Sequence, residues 1–446
     1  MRSSSGTLSG IKEAAMTSQR FEIRRVFVVS ALLLILGLQS VATSQERGAA
    51  AAGGRTWTTA WGTSQQTLAE TTITNATVRL IGRVTVPGDS VRVRLDNSFG
   101  TEAVRIGRAF VGARIQGAAL AAGSNRPMTF GGAPEVVLPP DGSVWSDPVR
   151  LAVLGQQDLA VSLFIPGMNV KPSQHTGAVV TSYRSADGSG DVASGEGRTA
   201  FTSTTTSLWW LKAIDVQTDA SPGAIVVFGD SITDGTCSTL DAHDRWEDIM
   251  SVRLGLQPEA SAGRSGARGG LKAVINEGIG GNTITREGLT PPPDSPPGLE
   301  RLDRDVLSHH GVTDVVLFMG TNDIRRGATA GQVIGGMTSI IRRVKAKGLR
   351  VIGVTIIPRH NVAPAGTNTG WNPEKTRIRN EVNQWIRAKA GFDDIIDFDK
   401  VVRDPGDPNL MSAPFNCGDG IHPSPAGYFA MGKSVDLSLF QPRARR

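Results

Sequence analysis

A change in hydrophobic period near residue 222 most constrains the fold of this chain. Beyond that point, short continuous apolar runs rich in β-branched residues alternate with stretches of helical periodicity. Continuous apolar runs are typical of strands covered on both faces, and their alternation with helices predicts a parallel sheet between helical layers. The predicted strands are Ala224 to Phe228, Val315 to Met319, Val351 to Ile357 and Ile395 to Phe398, and the predicted helices are Trp246 to Leu254, Thr329 to Lys347 and Lys375 to Ala390.

Before that point the apolar residues recur with period two. The stretch Val91 to Leu95 alternates apolar and charged residues, Leu159 to Ile165 nearly does so, and clusters of turn-forming residues separate such runs. This pattern predicts an all-β sandwich or jelly-roll-like domain. We therefore expect a β-sandwich domain over residues 56–205, a connector over 206–221 and an α/β domain over 222–441.

The first 44 residues have the features of an export signal. Two arginines at positions 24 and 25 precede the apolar run Val26 to Leu38, and small residues follow this run up to Ser44. This order is typical of a signal peptide that is removed on export, and the alternative is an uncleaved membrane anchor. We expect a cleaved signal peptide over 1–44, a flexible linker over 45–55, and a periplasmic or extracellular mature protein without a stable membrane span.

Composition limits the partners of the chain. Of its 446 residues, 39% are hydrophobic and 20% are charged, which is typical of a soluble globular protein and argues against global disorder. The formal net charge is +6, but the lysines and arginines are spread along the sequence instead of forming a basic block with interleaved aromatic residues. Nucleic acid is therefore not an expected partner, and the oligomeric state stays open.

Polar residues follow the predicted strands of the second half. Ligands of open parallel sheets bind at the carboxyl ends of the strands, so the residues at these positions are the candidates for function. The candidates are Ser231 after the first strand, Gly281 in the glycine-rich turn after Ala273 to Ile275, Asn322 after Val315 to Met319, and Asp419 with His422 in the loop after the last strand.

These are the groups that acyl transfer from an ester requires. Ser231 becomes a nucleophile when His422 takes its proton, and Asp419 can accept the hydrogen on the other imidazole nitrogen. The backbone N–H groups of Ser231 and Gly281 and the side-chain amide of Asn322 are candidate donors to the oxyanion. Each residue alone is also explained by a turn, a cap or a helix start, and only their occurrence together favours catalysis.

Other residues near these positions are expected to have structural roles. Asp230 is expected to accept a hydrogen bond that stabilises the turn before Ser231. The remaining histidines, such as His175, have no aspartate three residues before them on a strand-end loop, and we expect them to be structural or on the surface. No metal-ligand spacing is present, and the proposed chemistry needs neither a metal nor an organic cofactor.

Cys237 and Cys417 are the two cysteines of the chain. In an exported protein they are candidates for one disulfide, and the alternative is two buried free thiols. Cys237 lies six residues after Ser231, and Cys417 lies two residues before Asp419. If Ser231 and Asp419 assemble in one site, these segments converge, so we expect the disulfide.

Four motifs in order resemble those of the SGNH or GDSL hydrolases. The resemblance implies a flavodoxin-like α/β/α sandwich in which Ser231 is the nucleophile, His422 the base and Asp419 its orienting acid, while Gly281 and Asn322 donate to the oxyanion. The matching stretches are Gly229 to Gly235 (GDSITDG), Asn276 to Asn282 (NEGIGGN), Gly320 to Asp323 (GTND) and Asp419 to His422 (DGIH), with an insertion at Ala260 to Gly270 before the second.

The substrate is less constrained than the reaction. The β-rich first half and the stretch Arg301 to Leu307 resemble the exported subgroup related to carbohydrate esterases such as acetylxylan esterase. This resemblance implies a serine esterase that removes short acyl groups, above all acetyl, from acylated carbohydrate. The alternatives are a broad esterase or lipase on small or lipid esters and an O-acyltransferase, because the fold hosts many substrates. A carbohydrate-binding protein without activity is disfavoured by the complete set of motif residues.

Overall fold

The computed structural model of the protein describes residues 55–218, 223–257 and 271–441. The predicted signal peptide, the predicted linker except its last residue, and the predicted insertion at 260–270 lie outside the described residues. The described residues belong to a single compact unit that begins at Arg55. No helix among them is long and apolar enough to cross a lipid bilayer.

The first half is β-rich, as its period-two pattern predicts. Its strands are β1 (Thr56–Gly62), β2 (Thr67–Leu68), β3 (Ala76–Val84), β4 (Gly88–Asp96), β5 (Val104–Ile106), β6 (Arg108–Gln116), β7 (Ala119–Leu120), β8 (Arg126–Met128), β9 (Val136–Leu138), β10 (Ser143–Trp145), β11 (Val149–Val153), β12 (Gln157–Ile165), β13 (Ser173–His175), β14 (Ser182–Arg184), β15 (Ser203–Thr205), β16 (Leu208–Trp209) and β17 (Leu211–Thr218).

These strands pair in antiparallel sheets. A five-stranded sheet has the order β1-β17-β4-β10, with β11 also paired to β4, and a seven-stranded sheet has the order β15-β14-β3-β12-β6-β7, with β8 paired to β6. The two sheets pack against each other where Gly82 of β3 faces Trp61 of β1: a Cβ added at Gly82 would lie 2.9 Å from the Trp61 ring and 3.2 Å from Ile214 of β17. The β-rich region therefore buries the inner faces of both sheets.

The segment predicted as a connector contains strand β17 instead. Leu211–Thr218 lies between β1 and β4, and pairs with both. Lys212 and Asp215 interrupt the pattern of apolar residues in this strand, and both charged side chains are fully buried. Both side chains can be buried because they have charged partners. Because they are polar, the sequence pattern does not indicate that this segment is a central strand.

The second half alternates strands and helices, as predicted. Its strands are β18 (Ala224–Gly229), β19 (Ala273–Gly278), β20 (Val312–Phe318), β21 (Arg350–Val354) and β22 (Asp394–Ile396). The α-helices described in this half are α1 (Ser231–Asp234), α2 (Trp246–Gly255), α3 (Gly298–Leu302), α4 (Thr321–Arg325), α5 (Ala330–Ala346), α6 (Pro373–Arg387), α7 (Phe398–Val402) and α8 (Pro425–Ser434). The described residues also form a π-helical turn (Asp303–Leu307) and 3-10 turns at Ala413–Phe415 and Leu437–Phe440.

A parallel sheet lies at the centre of this half. Its order, β19-β18-β20-β21-β22, is the 2-1-3-4-5 order of flavodoxin-like sheets. The six residues of β18 are all buried because both faces of the sheet are covered. Val226 belongs to the same apolar cluster as Val333 of α5. Val227, on the opposite face, belongs to a second cluster with Trp246 of α2 and Met431 of α8.

The β-rich region packs against β19, the edge strand of the parallel sheet. Gly62 of β1 allows this close approach, because a Cβ there would lie 2.8 Å from Ile275 Cγ2. Thr85 Oγ1 accepts the backbone N–H of Val274 at 3.0 Å. The apolar cluster on this side of the sheet includes Val93 of β4 as well as Val226 of β18. The two halves therefore share one core, and an exposed sheet edge is covered.

A charged cluster is buried within this contact. Lys212 Nζ of β17 lies 2.8 Å from Glu277 Oε2 of β19 and 2.9 Å from Asp305 Oδ1 of the π-helical turn, and all three side chains are fully buried. Lys212 also donates to the carbonyl of Thr63 at 2.9 Å. Each charge of the cluster therefore has a partner, which is the condition for burying it.

Substitution of Lys212 tests how much the contact between the halves depends on this cluster. In Lys212→Met, Glu277 and Asp305 remain buried without their shared cation, so we expect the free energy of unfolding to fall by about 3–5 kcal/mol. The measurement is urea denaturation followed by far-UV circular dichroism.

Lys171→Met is the matched control. Lys171 pairs with Glu70 at 3.0 Å, but the two side chains are 43% and 96% exposed. We expect this variant to lose at most about 1 kcal/mol. Equal losses in the two variants would contradict the importance of the buried cluster.

Candidate active site

Ser231 lies at the amino end of α1, directly after β18. Asp230 is the N-cap of this helix, and its carboxylate accepts the backbone N–H of Ile232 at 3.1 Å. Gly229 permits the tight turn, because a Cβ there would lie 2.2 Å from Thr233 Oγ1 and 3.0 Å from the carbonyl oxygen of Phe318. The turn holds the serine at the carboxyl end of the sheet, where its side chain meets the last loop of the domain.

The structure brings Ser231, His422 and Asp419 together. The distance between Ser231 Oγ and His422 Nε2 is 2.9 Å, and the distance between His422 Nδ1 and Asp419 Oδ2 is 2.6 Å. If Nδ1 carries the hydrogen that Asp419 accepts, Nε2 is left with a lone pair that faces the serine hydroxyl. This is the tautomer that a general base at Nε2 needs.

Asp419 is held as an anion by hydrogen bonds. Its Oδ1 accepts the backbone N–H groups of Ile421 and His422, each at 2.8 Å. Burial alone would raise the pKa of Asp419, but the hydrogen bonds from the side chain and backbone of His422 outweigh it and lower this pKa to about 2. Asp419 therefore stays ionised at neutral pH, and it can stabilise a positive charge on the imidazole ring.

The candidate oxyanion donors lie on neighbouring segments. Asn322 is at the start of α4, which follows β20, and β20 is paired with β18 next to Ser231. The Asn322 amide donates one hydrogen to the carbonyl of Asn282 at 3.1 Å, which leaves its second amide hydrogen for a ligand. Gly281 precedes Asn282 and has a φ of 70°, which favours glycine at that position.

Asp323 anchors the segment that follows this glycine turn. Its carboxylate accepts the backbone N–H of Ile284 at 3.0 Å and that of Thr285 at 3.3 Å. Burial is the main cause that raises the pKa of Asp323 to about 7, and the negative charge of Asp230 adds to the rise. The fourth residue of the GTND motif thus binds the backbone after Asn282, while Asn322 binds the carbonyl of Asn282 itself.

Asp230 has an environment opposite to that of Asp419. Burial raises the pKa of Asp230 to about 6, although the hydrogen bond from Ile232 and the charges of His422 and Arg359 lower it in part. The Asp230 carboxylate accepts a hydrogen bond from the backbone N–H of Ile232 at the start of α1.

The disulfide expected between Cys237 and Cys417 is present, with the two Cα atoms 6.3 Å apart. It closes a sequence separation of 180 residues and ties the segment after α1 to the loop that carries Asp419 and His422. Tyr428 adds a second link, because its hydroxyl donates to the carbonyl of Thr236 at 2.7 Å. The segments that carry Ser231 and His422 are therefore joined covalently.

The histidines predicted to be structural or on the surface include three that are buried. His360 Nε2 accepts the backbone N–H of Met411 at 2.8 Å, and His309 Nε2 lies 2.6 Å from Glu277. His175 lies 3.0 Å from Asp234, the last residue of α1. Sequence reasoning did not find the pairing of His175 with Asp234, because the partners lie 59 positions apart and no motif joins them.

Residues 227–430 match the family model described as the GDSL-like Lipase/Acylhydrolase family. The segment contains every candidate catalytic and oxyanion residue, so the resemblance expected from the motifs is confirmed for this part of the chain. The closer relation to acetylxylan esterases stays a prediction. No curated protein sequence matches the chain.

Solved structures also resemble part of the chain. A carbohydrate acetylesterase from Sinorhizobium meliloti has 18% identity and a TM-score of 0.35, and covers 49% of this chain and 96% of its own. A GDSL-like lipase from Bacteroides thetaiotaomicron has 17% identity and a TM-score of 0.34, with 48% and 86% covered. A member of the lipolytic G-D-S-L family from Veillonella parvula has 18% identity and a TM-score of 0.34, with 47% and 94% covered.

Replacement of Asp230 by asparagine tests the effect of its burial. The pKa of Asp230 is raised from its ordinary value of 3.8 to about 6 in the folded protein. The protonated group therefore contributes its full stabilisation to the wild type only at pH values below 3.8. That stabilisation is lost as the pH rises through about 6, when the buried carboxyl must ionise. Asp230→Asn keeps an oxygen acceptor for Ile232 and does not ionise. We therefore expect the free energy of unfolding of Asp230→Asn minus that of wild type to increase by about 3 kcal/mol as the pH rises from 4 to 8.

The measurement is urea denaturation at a series of pH values, with the difference between variant and wild type plotted against pH. Asp294→Asn is the control for loss of a surface carboxylate, since the Asp294 side chain is 98% exposed. A difference for Asp230→Asn that does not change with pH would refute the raised pKa.

Proposed function

We propose that this protein is an exported serine esterase that hydrolyses carboxylic esters through an acyl-enzyme, and that it removes short acyl groups, above all acetyl, from carbohydrate. One observation carries the reaction type: Ser231 Oγ, His422 and Asp419 form a continuous chain with distances of 2.9 Å and 2.6 Å. The match of residues 227–430 to an acylhydrolase family supports the same reaction.

In the first half of the reaction, His422 Nε2 takes the proton of Ser231 Oγ as this oxygen attacks the ester carbonyl. The negative charge moves to the carbonyl oxygen, which the backbone N–H groups of Ser231 and Gly281 and the amide of Asn322 stabilise. The protonated imidazole is stabilised by the Asp419 anion. His422 then gives its proton to the leaving alcohol, and the acyl group stays on Ser231.

The second half repeats these steps with water. His422 Nε2 takes a proton from a water molecule, whose oxygen attacks the acyl carbon. The same donors stabilise the second tetrahedral oxyanion, and its collapse returns the proton from His422 to Ser231 Oγ with release of the carboxylic acid. In an acyltransferase a sugar hydroxyl would replace this water, and the catalytic residues themselves do not distinguish the two acceptors.

A cavity near the loop that carries Asp419 and His422 is a candidate site for the alcohol part of the substrate. The backbone N–H of His360 donates to the carbonyl of Gly420, between Asp419 and His422, at 2.8 Å. The residues next to His360 line a cavity of about 380 Å³. Amide and charged side chains suit the hydroxyl groups of a sugar better than a long acyl chain. The cavity is lined by Arg359, Asn361, Pro373, Thr376, Arg377, Asn380, Asp407, Asn409 and Leu410.

Export is supported by the disulfide between Cys237 and Cys417. Such bonds persist in oxidising compartments, whereas the cytosol keeps most thiols reduced. The apolar run that precedes Ser44 is the sequence feature that agrees with this location.

The first test concerns Ser231. We expect the purified protein to hydrolyse p-nitrophenyl acetate and to be labelled by a fluorophosphonate, and we expect Ser231→Ala to lose the label and about 10⁴-fold or more in kcat. Ser238→Ala is the control, because Ser238 Oγ donates to the carbonyl of Gly235 on the same segment and does not contact His422. A wild type with neither label nor turnover would refute the esterase proposal.

The second test concerns the acyl chain and the alcohol. We expect kcat/KM to fall as the p-nitrophenyl ester is lengthened from acetate to octanoate, and we expect acetate release from acetylated xylan in preference to hydrolysis of a triglyceride emulsion. Titration of the released acid measures all three substrates under the same conditions. Preference for long chains would reject the carbohydrate deacetylase while leaving the role of Ser231 intact.

A further inference from the structure

The turn from Gly280 to Asn282, here called the oxyanion loop, needs support from outside itself. It carries the Gly281 N–H, and Gly281 has a left-handed backbone conformation that does not belong to a helix or a strand. Oxyanion stabilisation requires donors that are already in place when the charge develops. The hydrogen bonds that hold the loop therefore decide how well it works, and two of them lead to the β-rich region.

The first connection runs through Asp234 of α1. Asp234 Oδ2 accepts the backbone N–H of Gly280 at 2.8 Å. Asp234 Oδ1 lies 3.0 Å from Nε2 of His175, which belongs to β13 of the β-rich region. Nδ1 of His175 lies 2.8 Å from the carbonyl oxygen of Ser64 in the same region. A chain of hydrogen bonds thus joins the β-rich region to the residue before Gly281.

Both ring nitrogens of His175 face oxygen atoms that can only accept. A carbonyl oxygen and a carboxylate both require a donor, so the geometry fits the imidazolium form with a hydrogen on each nitrogen. Burial would lower the pKa of His175, but the charge and hydrogen bond of Asp234, the bond to Ser64 and the charge of Glu277 raise it above its ordinary value. His175 is therefore a buried cation that holds the Asp234 carboxylate in position.

The second connection runs through Arg301 of α3. Its Nε donates to Asn282 Oδ1 at 3.0 Å, and its Nη1 donates to Ser64 Oγ at 2.8 Å. The backbone carbonyl of the same Asn282 accepts the Asn322 amide at 3.1 Å. Ser64 therefore takes part in both connections, with its carbonyl on His175 and its hydroxyl on Arg301.

We propose that the β-rich region is a positioning part of the catalytic centre, in which His175 holds the oxyanion loop in its active geometry through Asp234. This inference rests on the proposed esterase function. The role differs from carbohydrate binding, since it requires no ligand on the β-rich region. His175 is a positioning residue, because it touches Asp234 and Ser64 and acts on the oxyanion only through the backbone of Gly280.

The test is His175→Gln, which removes the charge and at least one of the two hydrogen bonds. We expect kcat for p-nitrophenyl acetate to fall about 10- to 100-fold, with KM within about twofold of wild type, since a displaced donor weakens the transition state more than the bound ester. A boronic acid inhibitor, whose tetrahedral adduct with Ser231 mimics the oxyanion, should bind more weakly by a similar factor. Circular dichroism and thermal unfolding monitor the fold of the variant.

His310→Gln is the matched control. His310 Nδ1 lies 2.9 Å from Asp215 Oδ2 of β17, so it is also a histidine paired with an aspartate between the two halves. No contact connects His310 to the oxyanion loop in the part of the chain that the structure describes. We expect its kcat and its affinity for the boronic acid to match wild type. Equal losses in the two variants would show a general effect of the contact and overturn the proposal.

Asp234→Asn supplies the second variant. An asparagine oxygen can still accept the N–H of Gly280, but its amide group no longer pairs with a charged histidine. We expect the same fall in kcat, and we expect His175→Gln combined with Asp234→Asn to lose no more than Asp234→Asn alone, because the two residues act in series. Additive losses in kcat would show that His175 and Asp234 do not act in series and would overturn the proposal. If His175→Gln does not fold, a wild-type kcat in Asp234→Asn would overturn it instead.

The wild type separates this inference from the proposed function. Without turnover that depends on Ser231, the esterase assignment fails and the positioning role fails with it. With such turnover and a folded His175→Gln that matches wild type in kcat and in boronic acid affinity, only the positioning role fails.

Discussion

The buried charges around Lys212 are the interaction on which the two halves depend. Moving a single ion from water into a protein interior costs several kcal/mol, and a partner must compensate for it. Lys212 has two carboxylate partners, Glu277 and Asp305. Burial would raise the pKa of Asp305, but the charges of Arg304 and Lys212 lower it well below its ordinary value. The cluster is complete only when strand β17, strand β19 and the π-helical turn are all in place.

The same cluster extends to the end of strand β18, next to Ser231. Arg301 lies 3.3 Å from Asp305, and its Nη2 donates to the carbonyl of Gly229 at 2.9 Å. Its guanidinium also lies over the ring of Phe228, 4.1 Å from the centroid. A planar group with five donors can hold several backbone and side-chain oxygens at fixed angles. Arg301 therefore joins the charges between the halves to the turn that presents Ser231, and the active site and the domain contact share one set of hydrogen bonds.

The sequence predicted what depends on neighbours along the chain. Strand β18 and the turn to Ser231 follow from a continuous apolar run and a glycine, and the placement of Asn322 and His422 follows from the rule that strand ends meet at one edge. The sequence did not predict the buried polar pairs whose members are distant in the chain and belong to no shared motif. Lys212 lies in the predicted connector, and the sequence did not predict its pairing with Glu277. His175 is predicted to be structural or on the surface, and the sequence did not identify its partner Asp234. Burial of a polar side chain depends on its partner, so the pattern along the chain does not identify these pairs.

Two carboxyl groups near Ser231 have pKa values that their surroundings shift in opposite directions. The pKa of Asp230 is raised to about 6 by burial, while the pKa of Asp419 is lowered to about 2 because hydrogen bonds from His422 outweigh burial. An acid that must stabilise an imidazolium has to stay ionised through the reaction, which Asp419 does at any pH near neutrality. Asp230 instead bears on the stability of the turn before Ser231. Opposed shifts of this kind are expected for acids with different tasks in one site, and here the contact with His422 is what separates Asp419 from Asp230.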